Sequence, residues 1–436
     1  MNNANDGSFG TGLEKVQLII FYLANLISYA YLLYICYRNH ILKFNKKTTV
    51  ALVIGVVVFF YLVLVSSLTD YSKIILVNDK PPISLYNRIV SIMDTSLMCL
   101  FVFTIFTCLP NLEERDLIMR FFSFGLLIFA FSAIVYSLAT EIEVYQTMIT
   151  SNGFFMKTEN YAYSFFTYGN VYGHLLFFGF LCILYLGYSY KKWWIYLIGI
   201  AFGFLIIYSG CRGGFICYLF TCLLLFSYFI YWLWSKKPVL GYISLALVIL
   251  VFTWFILEIF VIRAIRVPNK VYDEQSDSYT IIYMDLYYIF EKLCSDYLRC
   301  RNIITTTLLS FISTRNIIFG LGIDNLDYLV RICRGDFNLH NGLYTIYFTG
   351  GIFFALVYIF VFIIVLLKVF KILKFDERYF ILYIVFLLPS ILYQFSESYP
   401  AMFPVFGGGV MGMLLIASVN LKYQQNEEKV KITRFI

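Results

Sequence analysis

Eleven runs of apolar residues follow one another along this chain, each close to the ~20 residues that a helix needs to cross a bilayer. They fall at about 16–37, 48–68, 89–109, 121–141, 171–188, 193–210, 214–234, 239–262, 343–367, 379–397 and 405–421. In a chain of 436 residues that is 61% hydrophobic and only 14% charged, no soluble core could bury so much apolar surface. A bilayer supplies no partners for backbone N–H and C=O groups, so spans of this length are expected to be helices. The expected fold is therefore an all-α polytopic membrane protein, one transmembrane domain over residues 1–436.

Charge fixes the orientation. Arg38, Lys43, Lys46 and Lys47 follow the first run, Arg115 and Arg120 the third, Lys191 and Lys192 the fifth, and Lys236 and Lys237 the seventh. Lys368, Lys371, Lys374 and Arg378 follow the ninth, and the tail carries Lys422, Lys429, Lys431 and Arg434. Alternate connections are thus basic, the pattern of connections retained in the cytoplasm. The N-terminus is expected outside and the C-terminus inside. Asp6 and Glu14 precede the first run without a basic n-region, so no cleavable signal peptide is expected. The net charge of +7 is spread over these short connections, which argues against nucleic acid as a partner. The ten cysteines are scattered, with no CxxC pair and no His/Cys cluster at ligand spacing, so no metal or cofactor is expected.

The outer side receives a short connection at 69–88, a longer one at 142–170, the tight link around Arg212 and one large loop, 263–342, with nine basic and nine acidic residues. Long loops of this kind are usually functional. Within it Ile282, Leu286, Ile289, Phe290, Leu293 and Tyr297 recur at helical spacing beside Asp285, Glu291, Lys292 and Asp296. That periodicity predicts an amphipathic helix on the membrane face, either functional or merely capping the bundle.

Several outer residues could carry chemistry. Tyr208-Ser209-Gly210-Cys211-Arg212-Gly213-Gly214 forms the link between the sixth and seventh runs. Arg212 must lie near the outer boundary, where a guanidinium can grip phosphate through paired N–H groups or snorkel to lipid headgroups. His340-Asn341-Gly342 ends the large loop. A histidine poised there can take a proton from a hydroxyl, with Asn341 orienting either partner, although loop histidines are often only solvated. His174 lies one turn after Asn170 at the outer end of the fifth run, and reads as an interfacial helix start more readily than as part of the cleft. Arg263 and Arg266 would share a face if the eighth helix continued, as a second phosphate clamp or as interfacial anchors. Among ionisable residues inside the runs, Glu397 is best placed to reach the outer cleft, whereas Glu258 would pair with Arg263 or Arg266.

Taken together, the Ser-x-x-Arg-Gly-Gly segment at 209–214, the long outer loop, the turn Phe319-Gly320-Leu321-Gly322, the His340-Asn341 start to the next span and Gly350-Gly351 resemble the bacterial O-antigen polymerase and O-antigen ligase family. The resemblance covers about 160–400 and rests on order and spacing more than on any one short motif. Cys211 departs from it, since a serine more often precedes the arginine. Eleven spans is also low for the family, which makes twelve the alternative count.

The resemblance implies metal-independent glycosyl transfer at the outer face of the cytoplasmic membrane, from a sugar chain carried on undecaprenyl pyrophosphate. By that likeness Arg212 and either Arg263 or Arg266 would hold the pyrophosphate and His340 would serve the acceptor. Glu397 is expected beside them in the catalytic cleft, and Asn341, Asn170 and Ser209 are expected to line the substrate. Pyrophosphate needs charge stabilisation more than protonation when it leaves, and a hydroxyl acceptor needs a base, so the residue types suit the chemistry. Attack opposite the leaving group would invert the anomeric centre. The expected function is a polymerase that joins lipid-linked oligosaccharide repeats into an O-antigen or capsular polysaccharide, alone or with a chain-length regulator. A ligase that moves the glycan to another acceptor is the near alternative. A flippase or transporter is the alternative of another class, although repeated halves and deep charges, its usual marks, are not evident.

Overall fold

The computed structural model describes residues 112–150, 162, 164–165, 169–262, 266–273, 278–285, 314–322 and 342–396, with isolated positions between 30 and 65, at 287 and 291, and between 419 and 429. The helices are α1 (Leu112–Thr140), α2 (Ile142–Thr150), α3 (Gly169–Tyr190), α4 (Trp194–Tyr208), α5 (Arg212–Lys236) and α6 (Pro238–Leu257), which runs into a π-helical segment, Glu258–Ile262. Strands β1 (Arg266–Asp273) and β2 (Ser278–Asp285) follow, then α7 (Thr314–Phe319), α8 (Gly342–Ile372) and α9 (Glu377–Ser396). The predicted runs from 121–141 through 239–262, that at 343–367, and the described part of that at 379–397, are therefore helical. Within the described residues, α1, α3, α5 and α8 each contain a stretch long and apolar enough to cross a membrane.

These four helices differ in what surrounds them. The apolar stretch of α3 is 83% buried, against 33% in α1, 28% in α5 and 24% in α8. Thus α3 is the hub, and the others turn broad apolar faces outward. Phe121, Ile128 and Val135 on α1, and Phe353, Leu356 and Phe360 on α8, are exposed, as lipid-facing residues are. Apolar burial from water cannot hold helices together inside a bilayer, so contact rests on close packing. On α3, Gly179 admits the Phe202 ring of α4 and lies near Ala130 of α1; Gly187 admits Tyr196. Phe180 of α3 reaches back over Gly199 and packs against Tyr218 of α5.

Chain direction sorts the connections. α1, α4, α6 and α9 finish at the end where α3, α5 and α8 begin, here termed the upper end. At the lower end, Asp116 of α1 accepts hydrogen bonds from Arg120 and from the Tyr185 and Ser189 hydroxyls of α3. Asp376 pairs with Lys422 at 3.1 Å, and that ammonium lies 4.4 Å from the Tyr379 ring centroid. Lys191–Lys192, Lys236–Lys237 and Lys371 all belong to this end, as the charge alternation requires.

Two expectations for the large loop need correction. β1 and β2 pair antiparallel, with Arg266 opposite Asp285 and Asp273 opposite Ser278, so the helix expected from Ile282 onward is strand as far as Asp285. Tyr287 and Glu291, one turn apart, are helical. Ser278-Tyr-Thr-Ile-Ile-Tyr is rich in β-branched and aromatic residues, and a partner strand overrides the helical spacing. Nor does Arg266 lie on a continuation of the eighth helix: it opens β1, and Arg263 lies outside the described residues.

Candidate functional site

Three features lie in the upper half of the described helices. The first is the turn between α4 and α5. Gly210 adopts φ 67°, a left-handed conformation that glycine takes without strain, and this reverses the chain within Ser209-Gly210-Cys211. The Ser209 hydroxyl donates to the Ile206 carbonyl (2.6 Å) and accepts from the Cys211 amide (3.3 Å), while the Cys211 sulfur accepts from the Gly214 amide (3.4 Å) and so caps α5. Both Ser209 and Cys211 are buried. Cys211 thus serves as the N-cap of α5. The turn is seated on α3: a Cβ at Gly173 would come within 2.1 Å of the Cys211 Cβ and 2.5 Å of the Ser209 Oγ.

His174 follows Gly173 and is buried, with its ring edge-on to Tyr393 of α9 at 4.7 Å between centroids. It belongs to the packed junction of α3 and α9, near the start of α3. Arg212 is the first residue of α5 and Asn170 lies in the first turn of α3, so the backbones of both sit at the upper end with Ser209. Arg266 opens the hairpin. Glu258 is buried at the start of the π segment. His340, Asn341, Arg263 and Glu397 lie outside the described residues.

The second feature is a buried polar network that the sequence reading passed over. Glu141 joins α1 to α2 and is 8% exposed. The Ser137 hydroxyl donates to its carboxylate, as does the Ser164 amide (3.0 Å). Ser137 also shares a 2.7 Å hydrogen bond with the Tyr145 hydroxyl. The Ser164 hydroxyl donates to the Ala133 carbonyl (2.6 Å), and the Ala162 amide to the Tyr208 carbonyl (3.1 Å). The Tyr145 ring meets the Tyr208 ring edge-on at 5.0 Å. Burial pushes the Tyr145 phenol above its ordinary pKa, so it remains a donor at neutral pH. The sequence offered one clue: Glu141 is the last residue of the predicted fourth run, an acid at a membrane edge.

The third feature is a break in α8. Gly351 adopts φ 72° and ψ −173°, which interrupts the helix two turns after its start. The carbonyls released there are recovered by the Gly-x-Gly segment. The Leu321 amide donates to the Phe348 carbonyl (2.7 Å) and the Gly322 amide to the Thr349 carbonyl (2.8 Å). The Tyr61 hydroxyl lies 2.7 Å from the Phe319 carbonyl and 3.1 Å from that of Gly350. Non-helical backbone in an apolar helix survives only when such partners exist, and broken helices recur at substrate sites of membrane proteins. Gly320 and Gly351 thus share one structural reason, the close approach of the two backbones.

No family model, curated protein or solved structure matches this chain. The functional reading therefore stands on the residues themselves. Among the described residues no group of three or more His, Cys, Asp or Glu side chains is placed to hold a metal ion.

Proposed function

We propose that this protein is a glycosyltransferase of the cytoplasmic membrane that polymerises undecaprenyl-pyrophosphate-linked oligosaccharide repeats at the outer face, its upper end facing outward. The observation that carries this reading is the seat of the Arg212 turn. Arg212 opens α5 from a link of three residues locked onto α3 at Gly173, so its backbone is fixed at the end of the bundle where α8 opens directly after His340 and Asn341. A guanidinium borne on rigid backbone at a membrane boundary suits a pyrophosphate, which leaves with its charge stabilised by paired N–H donors. Catalysis of this kind depends on donors that need not reorganise as charge develops.

In this scheme Arg212, with Arg263 or Arg266, holds the lipid pyrophosphate, and His340 accepts the proton of the sugar hydroxyl that attacks the anomeric carbon. Ser209 takes a structural part: its hydroxyl is committed to the Ile206 carbonyl and the Cys211 amide. Asn170, Asn341 and Glu397 complete the proposed substrate cleft. Cells lacking the protein test the reading. Single lipid-linked repeats accumulating on the outer face support a polymerase, and repeats stranded on the inner face would replace it with a flippase.

A further inference from the structure

Ser164 is one of two non-glycine residues among those described with a left-handed backbone, at φ 57°. A side chain in that region costs on the order of 1 kcal/mol, so other contacts must hold it there. Two do: its amide on the Glu141 carboxylate and its hydroxyl on the Ala133 carbonyl. Two residues earlier the Ala162 amide grips the Tyr208 carbonyl, the last peptide of α4 before Ser209. Tyr145, whose hydroxyl bonds Ser137 beside the same carboxylate, lays its ring on Tyr208. Glu141 therefore stands at the root of two paths, one through backbone and one through an aromatic pair, which both end on the residue preceding the Arg212 turn.

We infer that Glu141 is a positioning residue for the pyrophosphate-binding turn, acting through Ser164, Ala162, Tyr145 and Tyr208 to hold Ser209-Gly210-Cys211 against α3. The inference rests on the proposed role of Arg212. A buried carboxylate is costly unless fully hydrogen-bonded, so this one commits its neighbours to a single arrangement. The role needs an acceptor at this position and not a negative charge. Glutamine, which keeps an acceptor oxygen of the same reach, substitutes for it; alanine does not.

The test uses full-length protein in detergent or nanodiscs, with two readouts. The first is maleimide labelling at Cys211, followed by mass spectrometry of its peptide. Cys211 is buried in the native turn and becomes reactive when the turn lifts from α3. The second is steady-state transfer with undecaprenyl-pyrophosphate oligosaccharide as donor. Glu141→Ala is expected to speed Cys211 labelling about tenfold and to raise the KM for donor by a similar factor with a smaller change in kcat, while Glu141→Gln stays within about threefold on both. Ala162→Pro, which deletes the amide that holds the Tyr208 carbonyl and leaves Glu141 in place, should speed labelling by a similar factor. This variant keeps the question answerable if Glu141→Ala inserts poorly.

Equal damage in Glu141→Gln and Glu141→Ala would overturn the inference, because charge and not position would then be the requirement. Unchanged Cys211 labelling in Glu141→Ala would also overturn it. If labelling responds as expected but the native protein transfers no sugar, the positioning of the turn stands and the glycosyltransferase reading falls.

Discussion

The Gly351 backbone lies so close to the Ile318 carbonyl that a Cβ on it would come within 1.9 Å of the oxygen. No side chain fits there, and φ 72° disfavours one even in open space. The contact joins the interruption of α8 to the segment that repairs it, and it explains why glycine stands on both sides: a Cβ at Gly320 would fall 2.3 Å from the Thr349 carbonyl. Gly351→Ala should therefore destabilise the protein by at least about 2 kcal/mol, with a clear fall in melting temperature in detergent. Gly125→Ala is the control: nothing lies within 4 Å of its Cβ position on the exposed face of α1, and the change should be neutral or slightly stabilising. Equal melting temperatures for the two variants would remove the junction from the account.

Removal of one hydroxyl tests the same junction from another helix. Tyr61→Phe keeps the ring and loses the hydrogen bond to the Phe319 and Gly350 carbonyls, a change of about 1 kcal/mol. Amide exchange in peptides covering Leu321 and Gly322 should rise severalfold in this variant. Exchange identical to the native protein would mean that the glycine segment holds α8 without help from Tyr61.

Gly173→Ala should act on the Arg212 turn directly. Its methyl group would collide with the Cys211 Cβ and the Ser209 hydroxyl, so the turn must lift or α3 must shift. Loss of at least about 90% of transfer is expected, together with a detergent-stable but less cooperative melt. Full activity would separate the seat of the turn from the chemistry.

Stability at alkaline pH should report on Tyr145. Burial raises its pKa in the folded state above the value of ~10 that it has unfolded, so the unfolded chain releases that proton first. The sign follows: the contribution is fully present below about pH 10 and is lost as pH rises beyond it. Tyr145→Phe should flatten the fall in melting temperature above about pH 10 and leave the slope between pH 6 and 9 unchanged. A change confined to the neutral range would contradict this assignment.

Much of the scaffold was legible because its signal is cumulative. A run such as 171–188 contains enough apolar residues that no single substitution would change its reading, and α3 spans Gly169–Tyr190. Local spacing was weaker evidence. Ile282 and Leu286 stand four apart as on a helix, yet β1 captures residues through Asp285, and a pairing partner leaves no mark in one segment's periodicity. The Arg212 turn was legible as a tight link from its glycines, but its capping by Cys211 was not. Glu141 was missed because its significance lies in Ser164 and Tyr145, which reach it through folding and leave no mark in the sequence around it. The Tyr393 ring that meets His174 edge-on was not legible either, because nothing near His174 in sequence announces it.

The most direct test of the central claim is to incubate the purified protein with a defined undecaprenyl-pyrophosphate oligosaccharide and separate the products by gel, with Arg212→Ala and His340→Ala alongside. The native protein should give a ladder of repeat multiples and neither variant any, although both insert and melt like the native protein. A ladder of native length from Arg212→Ala would contradict the account, because the turn seated on α3 would then have no part in holding the pyrophosphate.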